Sequence, residues 1–199
     1  MTLRTARILV AAGAFVAGLV LFAAVVLLVM GREGAPSLPQ VAAIGGPFSL
    51  TDQNGRTVTD QDLKGKPFLV FFGFTNCPDI CPTTMFEISE VLKKLGPEAD
   101  RTRALFITVD PERDTPAALK DYVSSFDPHI IALTGTPEAI AAVAKAYRAY
   151  YRRVPAKDGG YTMDHLALVY LMGKDGRFVS RFKLDRPIDA SVAELRKYL

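Results

Sequence analysis

The chain has 199 residues, of which 49 % are hydrophobic and 23 % are charged, so it is long enough to bury the core of one compact domain. It carries 24 lysines and arginines against 21 aspartates and glutamates, and setting aside Arg4 and Arg7 leaves 22 against 21. This balance gives no indication of a strongly basic, nucleic-acid-binding domain, and no nucleic-acid partner is predicted.

The first predicted element is a membrane-spanning helix. Residues 8–30 contain no charged residue, proline or polar amide, and a helix of that length, at about 1.5 Å per residue, crosses the ~30 Å hydrocarbon layer. The run is longer than the apolar region of a cleavable signal peptide, about 7–15 residues. The two preceding arginines, with no acidic neighbour, predict a cytoplasmic N-terminus over residues 1–7. Residues 31–43 are then predicted to be a linker, and residues 44–199 an exported domain.

The exported part is predicted to open with a β-hairpin and to continue as an α/β fold. Residues 48–51 and 56–59 flank Asn54-Gly55, a dipeptide that favours a tight hairpin turn. Segments of strand and helix character then alternate, which predicts a parallel sheet with crossover helices. The predicted strands are residues 68–74, 104–109 and 130–133, and the predicted helices are residues 83–95, 116–126 and 137–151.

The C-terminal third departs from this alternation. Residues 166–172 and 177–182 are joined by the turn-rich sequence Gly173-Lys174-Asp175-Gly176, which predicts an antiparallel pair of strands. A last helix is predicted over residues 189–198.

The two cysteines, Cys77 and Cys81, follow the strand predicted over residues 68–74 and mark a chemical site. Two thiolates one helical turn apart can bind one soft metal ion or can oxidise to a disulfide, so the pair leaves metal transfer and electron transfer open. A purely structural disulfide is disfavoured, because a bridge across three intervening residues closes very little chain.

The cysteine pair is predicted to lie at the start of a helix. Pro82 directly follows Cys81, and proline is common at the first helical position. Because the positive end of the helix dipole stabilises anions, we expect a lowered pKa and a populated thiolate at Cys81.

Two thiolates rarely complete the coordination of copper or zinc, so a third ligand is expected, and neutral imidazole is a usual partner of thiolate on copper. The chain has two histidines. His129 is interpreted as an exposed or partly packed loop residue. His165 is predicted at the entry of the strand over residues 166–172, where α/β sheets gather functional groups. Asp164 is considered as an orienting partner for the imidazole, but adjacent residues of a strand point to opposite faces.

Three stretches resemble the SCO/SenC family of membrane-tethered copper proteins. Residues 73–84, with the sequence GFTNCPDICPTT, are similar to the family's cysteine motif. Residues 110–116, DPERDTP, resemble its second motif, and residues 161–165, YTMDH, its histidine motif. Leu166 stands where the family often has serine, and Met163 where valine is common.

The resemblance implies a thioredoxin-like fold with an N-terminal β-hairpin, covering about residues 48–199. It implies no catalytic residue but one copper ion, Cu(I) or Cu(II), bound by Cys77, Cys81 and His165. The implied role is a metallochaperone that receives copper from a donor protein and delivers it to the dinuclear copper site of cytochrome c oxidase subunit II. The implied location is the cytoplasmic membrane, with the domain in the periplasm.

Other functions remain open on the residues alone. Cys77 and Cys81 could form the redox couple of a thiol–disulfide reductase that keeps the cysteines of the oxidase subunit reduced. A peroxidase is disfavoured because no proline precedes Cys77 in the expected pattern, and a scaffold with an incidental disulfide would have no metal affinity. Asp79 is either a solvated charge or a docking residue, and Asp114 is interpreted as a cap of the helix that begins near residue 116.

Overall fold

The computed structural model describes residues 3–30, 43–156 and 159–199. The chain divides into two units, Met1–Ala42 and Ala43–Leu199. The predicted linker lies outside the described residues except for residue 43.

The described part of the first unit is a single helix, α1 (Leu3–Met30), which includes the predicted helical run. Large apolar side chains along it are exposed, for example Phe15 and Leu27 at 71 % each. Among the residues that the structure describes, no helix is found that is both long and apolar enough to cross a membrane.

The second unit opens with the predicted hairpin, β1 (Ser49–Asp52) and β2 (Thr57–Thr59). The Asp52 carboxylate accepts hydrogen bonds of 2.8 Å from the backbone N–H groups of Asn54 and Arg56. Gly55 supplies the positive φ of 79° that the turn requires. The turn chemistry seen in the sequence therefore sets the register of the hairpin.

Five further strands join this hairpin in one seven-stranded sheet, in the order β2-β1-β5-β4-β3-β8-β9. They are β3 (Phe68–Gly73), β4 (Arg103–Thr108), β5 (Ile130–Thr134), β8 (Val169–Met172) and β9 (Phe178–Phe182). The sheet's three central strands are parallel, as predicted, and the remaining neighbours are antiparallel. All six residues of β3 are buried, as expected for a central strand covered on both faces. The three central strands are β5, β4 and β3, in the order in which they lie in the sheet. The helices around them are α2 (Ile80–Leu95), α3 (Pro116–Val123) and α4 (Pro137–Tyr147).

The predicted C-terminal antiparallel pair is confirmed as β8 (Val169–Met172) and β9 (Phe178–Phe182). The last helix is α5 (Ile188–Arg196), and two short 3-10 helices span Asp60–Leu63 and Gly96–Arg101. Strand β8 pairs with β3, so the C-terminal strands complete the main sheet on the far side of β3 from β4.

One element was not predicted from the sequence. Helix α4 ends at Tyr147, because Arg148 adopts a left-handed conformation with φ 54°, and the helix predicted to residue 151 was therefore too long. The chain continues into a separate two-stranded hairpin, β6 (Tyr151–Pro155) and β7 (Tyr161–His165). We call these two strands the histidine hairpin, because His165 ends β7 and does not begin β8 as predicted.

Candidate metal centre

The structure brings the three predicted ligands together at the carboxyl end of β3. Cys77 lies in the turn that follows the strand, Cys81 in the first turn of α2, and His165 at the end of β7. The ligand atoms of the three side chains lie within 4.8 Å of one another. Nε2 of His165 is 3.4 Å from Sγ of Cys81, although the two residues are 84 positions apart in the chain.

This arrangement fits a single metal ion. Thiolate and imidazole bonds to a first-row ion are about 2.3 Å and 2.0 Å long, so two sulfurs on one ion lie at most about 4.6 Å apart. The observed separations are close to this limit, and small side-chain movements suffice to close three bonds. Two thiolates with one imidazole suit a soft or borderline ion such as copper.

The helix that carries Cys81 begins earlier than predicted. Asp79 stands at the N-cap and Ile80 is the first helical residue, so that Pro82 is the third. The backbone N–H of Cys81 donates to Sγ of Cys77 over 3.4 Å. This N–H group belongs to the first turn of α2, where backbone donors have no partner within the helix. Its bond to Cys77 holds the sulfur of Cys77 beside the start of the helix that carries Cys81.

The expected lowering of the Cys81 pKa was wrong. Its side chain is fully buried, and this burial raises the pKa of the thiol, an effect that the nearby Cys77 adds to. Removal from water thus outweighs the helix N-terminus at this position. A metal ion that binds here must displace the proton, which couples binding to proton release.

Gly73 allows this close packing around Cys81. A Cβ atom at Gly73 would lie 3.0 Å from Sγ of Cys81 and 2.6 Å from the ring of Phe106. The last residue of β3 therefore has to lack a side chain if the sulfur is to sit against the strand end.

His165 lies edge-on between two rings of the core. Its ring centroid is 6.1 Å from that of Phe71 and 5.7 Å from that of Phe74. Burial lowers the pKa of the imidazole, which favours the neutral ring with a free lone pair. Nδ1 is buried and has no hydrogen-bond partner among the described residues, and Nε2 faces the sulfurs.

Two other residues weighed in the sequence lie elsewhere. Asp164 does not orient the imidazole, because it points to the opposite face of β7 and its carboxylate accepts from Nε of Arg152 over 3.1 Å. His129 is not part of the cluster: its two ring nitrogens face the carboxylates of Asp127 and Asp100 at 2.6 Å and 3.1 Å.

Asp114 has a role that the sequence did not reveal. It was expected to cap α3, but the cap is Thr115, whose side chain accepts from Ala118 N. Asp114 is fully buried. It accepts from the hydroxyl of Thr75 at 2.6 Å, from the backbone N–H of Thr75 at 3.0 Å and from the hydroxyl of Thr108 at 2.6 Å. It thereby ties the turn before Cys77 to the end of β4.

Exposed residues adjoin the ligands in the chain, and two of them carry large apolar side chains. Ile80 is 46 % exposed and Leu166 is 38 % exposed, and Cys77 is half-buried. Asp79 is exposed and makes no capping bond with its side chain. An incoming group can therefore approach Cys77 without displacing the core.

Comparison with known proteins decides the family. A family model described as SCO1/SenC matches residues 36–199. The chain belongs to the SCO1/SenC family. The matched range contains both cysteines and His165, so the resemblance seen in three short motifs extends over the whole second unit.

Relatives in this family share the fold. The structure of Bradyrhizobium japonicum ScoI with copper bound is 62 % identical, with a TM-score of 0.77, and the match covers 79 % of this chain and all of that one. BsSco, described as a member of the Sco family of cytochrome c oxidase assembly proteins with a disulfide switch, is 29 % identical with a TM-score of 0.63, over 79 % of this chain and 94 % of that one. The predicted thioredoxin-like α/β fold is thus confirmed.

Among curated sequences, the mitochondrial protein SCO1 homolog 1 of Arabidopsis thaliana is 41 % identical over 162 residues. The match covers 79 % of this chain but 48 % of that protein. The chain therefore spans about half the length of this mitochondrial relative.

Proposed function

We propose that this protein is a copper metallochaperone, a carrier with no catalytic residue of its own. Cys77, Cys81 and His165 are the proposed copper ligands. The observation that supports the proposal most strongly is that their ligand atoms lie within 4.8 Å of one another. Bradyrhizobium japonicum ScoI, which is 62 % identical, is described with copper bound.

The ligand set suits transfer of the metal as well as binding. Thiolates select Cu(I), and the imidazole allows Cu(II) to be held as well. Three protein ligands leave a position open for a thiolate of the acceptor, and half-buried Cys77 lies at the open side. Copper can then be handed over by ligand exchange, with each protein sulfur leaving as a sulfur of the acceptor binds.

The proposed acceptor is the dinuclear copper site of cytochrome c oxidase subunit II, and the copper is received from a donor protein. The support is that BsSco, of the same family, is described as one of the cytochrome c oxidase assembly proteins. The exposed apolar side chains of Ile80 and Leu166, which adjoin Cys81 and His165 in the chain, offer such an acceptor apolar contacts.

We also propose that residues 8–30 anchor the protein in the cytoplasmic membrane and that the copper domain lies in the periplasm. The support is the 23-residue uncharged run and the arginines that precede it. Fractionation of cells, followed by protease treatment of spheroplasts, tests this. A membrane-bound protein whose domain is digested from outside is expected, and a protein recovered in the soluble fraction would contradict it.

Anaerobic titration of the reduced full-length protein in detergent with Cu(I) and Cu(II) tests the metal assignment. One equivalent of each should bind, with a sulfur-to-copper charge-transfer band for Cu(II). His165→Ala should lose most of the Cu(II) affinity, and the matched variant His129→Ala should behave like the parent. Equal binding by His165→Ala and the parent would refute the ligand set.

A second candidate function is supported by the two sulfurs themselves. Both cysteines are free thiols within reach of each other. Cys77 could attack a disulfide of the oxidase subunit, and Cys81 could then resolve the mixed disulfide. The chain would end with a Cys77–Cys81 disulfide, and the partner would gain two electrons and two protons as two thiols. This activity does not use His165, so oxidase assembly that survives in His165→Ala would favour it over copper delivery.

A further inference from the structure

The histidine hairpin that presents His165 is not part of the main sheet. Strands β6 and β7 pair with each other, and the seven-stranded sheet contains neither of them. A peripheral two-stranded element of this kind opens at a lower free energy than the strands of the core. Its position against the cysteines must therefore be held by side-chain contacts.

Those contacts lie on one face of β7. Tyr161, Met163 and His165 alternate along the strand and share a face. Tyr161 and Met163 are both partly buried, and Met163 packs against the core. Asp164, on the other face, is exposed and pairs with Arg152 within the hairpin. The inward face therefore carries the copper ligand at one end and Tyr161 at the other.

Tyr161 is fixed to the segment that follows β4. Its hydroxyl donates to Asp110 over 2.9 Å, and its backbone oxygen accepts from Nη1 of Arg113 over 3.0 Å. The guanidinium carbons of Arg113 and Arg153 lie 3.9 Å and 3.5 Å from the centroid of its ring. Arg113 is in turn paired with Asp110, and Arg153 with Glu112.

The same segment also holds the cysteine turn. Its last residue, Asp114, accepts two hydrogen bonds from Thr75, two residues before Cys77. We call Asp110–Asp114 the bridging segment, because its first residue and Arg113 hold the hairpin and its last residue holds the turn. The two parts of the chain that supply the ligands are thus fastened to one short piece of backbone.

From these contacts we infer that Arg113 and Tyr161 are positioning residues for the copper site. They clamp the histidine hairpin against the bridging segment and so keep His165 over the two sulfurs. Release of the clamp swings the imidazole away and leaves a dithiol that binds Cu(I) but holds Cu(II) poorly. The inference rests on the proposed function and adds to it the contacts that hold His165, the third ligand, in position.

The test compares Tyr161→Leu with Arg152→Gln, both in the full-length protein. The first variant removes the hydroxyl and the aromatic face, and the matched control breaks an ion pair within the hairpin without touching the bridging segment. In the copper-free protein, amide hydrogens of β6 and β7 should exchange at least about tenfold faster in Tyr161→Leu, and those of β3 and β4 should keep the parent's rates. Arg152→Gln should leave both sets near the parent values.

Copper titration supplies the second measurement. Tyr161→Leu should bind Cu(II) at least about tenfold more weakly than the parent, with a smaller loss for Cu(I), and Tyr161→Phe, which keeps the ring between the guanidinium groups, should fall between the two. Parent-like exchange and parent-like Cu(II) affinity in Tyr161→Leu would overturn the inference, and so would faster exchange spread evenly over the main sheet.

Two further outcomes keep the inference separate from the proposed function. If the parent binds no copper, the metallochaperone proposal fails, while the exchange rates of the copper-free hairpin still decide whether the clamp exists. If Tyr161→Leu does not fold, Tyr161→Phe and Arg113→Lys decide the matter. Each of these two variants should then speed amide exchange in β6 and β7 and weaken Cu(II) binding, by smaller factors than expected for Tyr161→Leu. Parent-like exchange rates and Cu(II) affinity in both variants would overturn the inference.

Discussion

Replacement of Gly73 by alanine tests whether the position of Cys81 is set by close packing at the end of β3. The added methyl carbon would lie 2.6 Å from a ring carbon of Phe106, 3.0 Å from Sγ of Cys81 and 3.1 Å from a ring carbon of Phe71. Carbon atoms in favourable contact are about 3.5–4.0 Å apart. All three neighbours are fully buried, so none can yield by moving into solvent.

Overpacking of a dense core lowers the free energy of unfolding by about 1–3 kcal/mol. Urea denaturation of the reduced, copper-free protein should therefore show Gly73→Ala less stable by that amount. The sulfur of Cys81 must also shift, and a displaced ligand should weaken copper binding, with tenfold in affinity corresponding to about 1.4 kcal/mol. Competition against a chromophoric Cu(I) chelator measures this loss.

Gly46→Ala provides the matched control. Its added carbon would meet the Cβ of Ala146 at 3.4 Å and nothing closer, so stability and copper affinity should stay near the parent values. If Gly73→Ala were as stable as the parent and bound Cu(I) equally well, the explanation of Cys81 placement by the absent side chain would be wrong.

Two further predictions concern residues around the sheet. Asp114→Asn replaces one acceptor oxygen by an amide that cannot accept from Thr75, and urea denaturation should show a loss of about 1–3 kcal/mol. A parent-like value would refute the tie between Asp114 and the cysteine turn. At His129, burial lowers the pKa, but hydrogen bonds to Asp127 and Asp100 raise it by more, so the net pKa is raised. The stabilisation from the charged ring is then fully present below about pH 6.5 and is lost as the pH rises through the folded pKa. His129→Gln should therefore be destabilising at pH 5.5 by about 1–2 kcal/mol, since Asp127 is only 12 % exposed although Asp100 is 84 % exposed, and the difference should shrink at pH 8.5. A stability difference between His129→Gln and the parent that grew with pH would contradict a raised pKa at His129.

The sequence predicted the central elements because their signals are local. The short, aromatic-rich apolar run at Phe68–Gly73 favours a buried strand, and the Asn54-Gly55 turn favours the first hairpin. Parallel neighbours followed from the alternation of strand and helix. The motif resemblance paired His165 with the cysteines, and the observed 3.4 Å between Nε2 and Cys81 Sγ bears out their proximity.

The histidine hairpin escaped prediction for two physical reasons. Tyr147 and Tyr151 continue the helical spacing of apolar residues, and the break between them is made by Arg148 in a left-handed conformation, which no glycine marks. A signal was nevertheless present in the alternation of Tyr161, Met163 and His165 just after Gly159-Gly160. The predicted direction of the Cys81 pKa shift was wrong because the burial that raises this pKa comes from side chains, such as Phe106, that surround the sulfur only in the folded chain.

The arrangement of the sheet explains why the bridging segment lies where it can hold both ligand-bearing parts. Strands β3 and β4 are parallel neighbours with Gly73 opposite Thr108, so the cysteine turn and the bridging segment leave the same edge of the sheet side by side. The backbone N–H of Val109 donates to the oxygen of Gly73 over 2.8 Å and keeps the two together beyond the last paired residues. The distance between the cysteines and the bridging segment is thus fixed by the core, whereas His165 is carried by a hairpin that lies outside the main sheet. If copper is handed over as proposed above, the bond from His165 is the one that can open first, before the two sulfurs are exchanged for sulfurs of the acceptor.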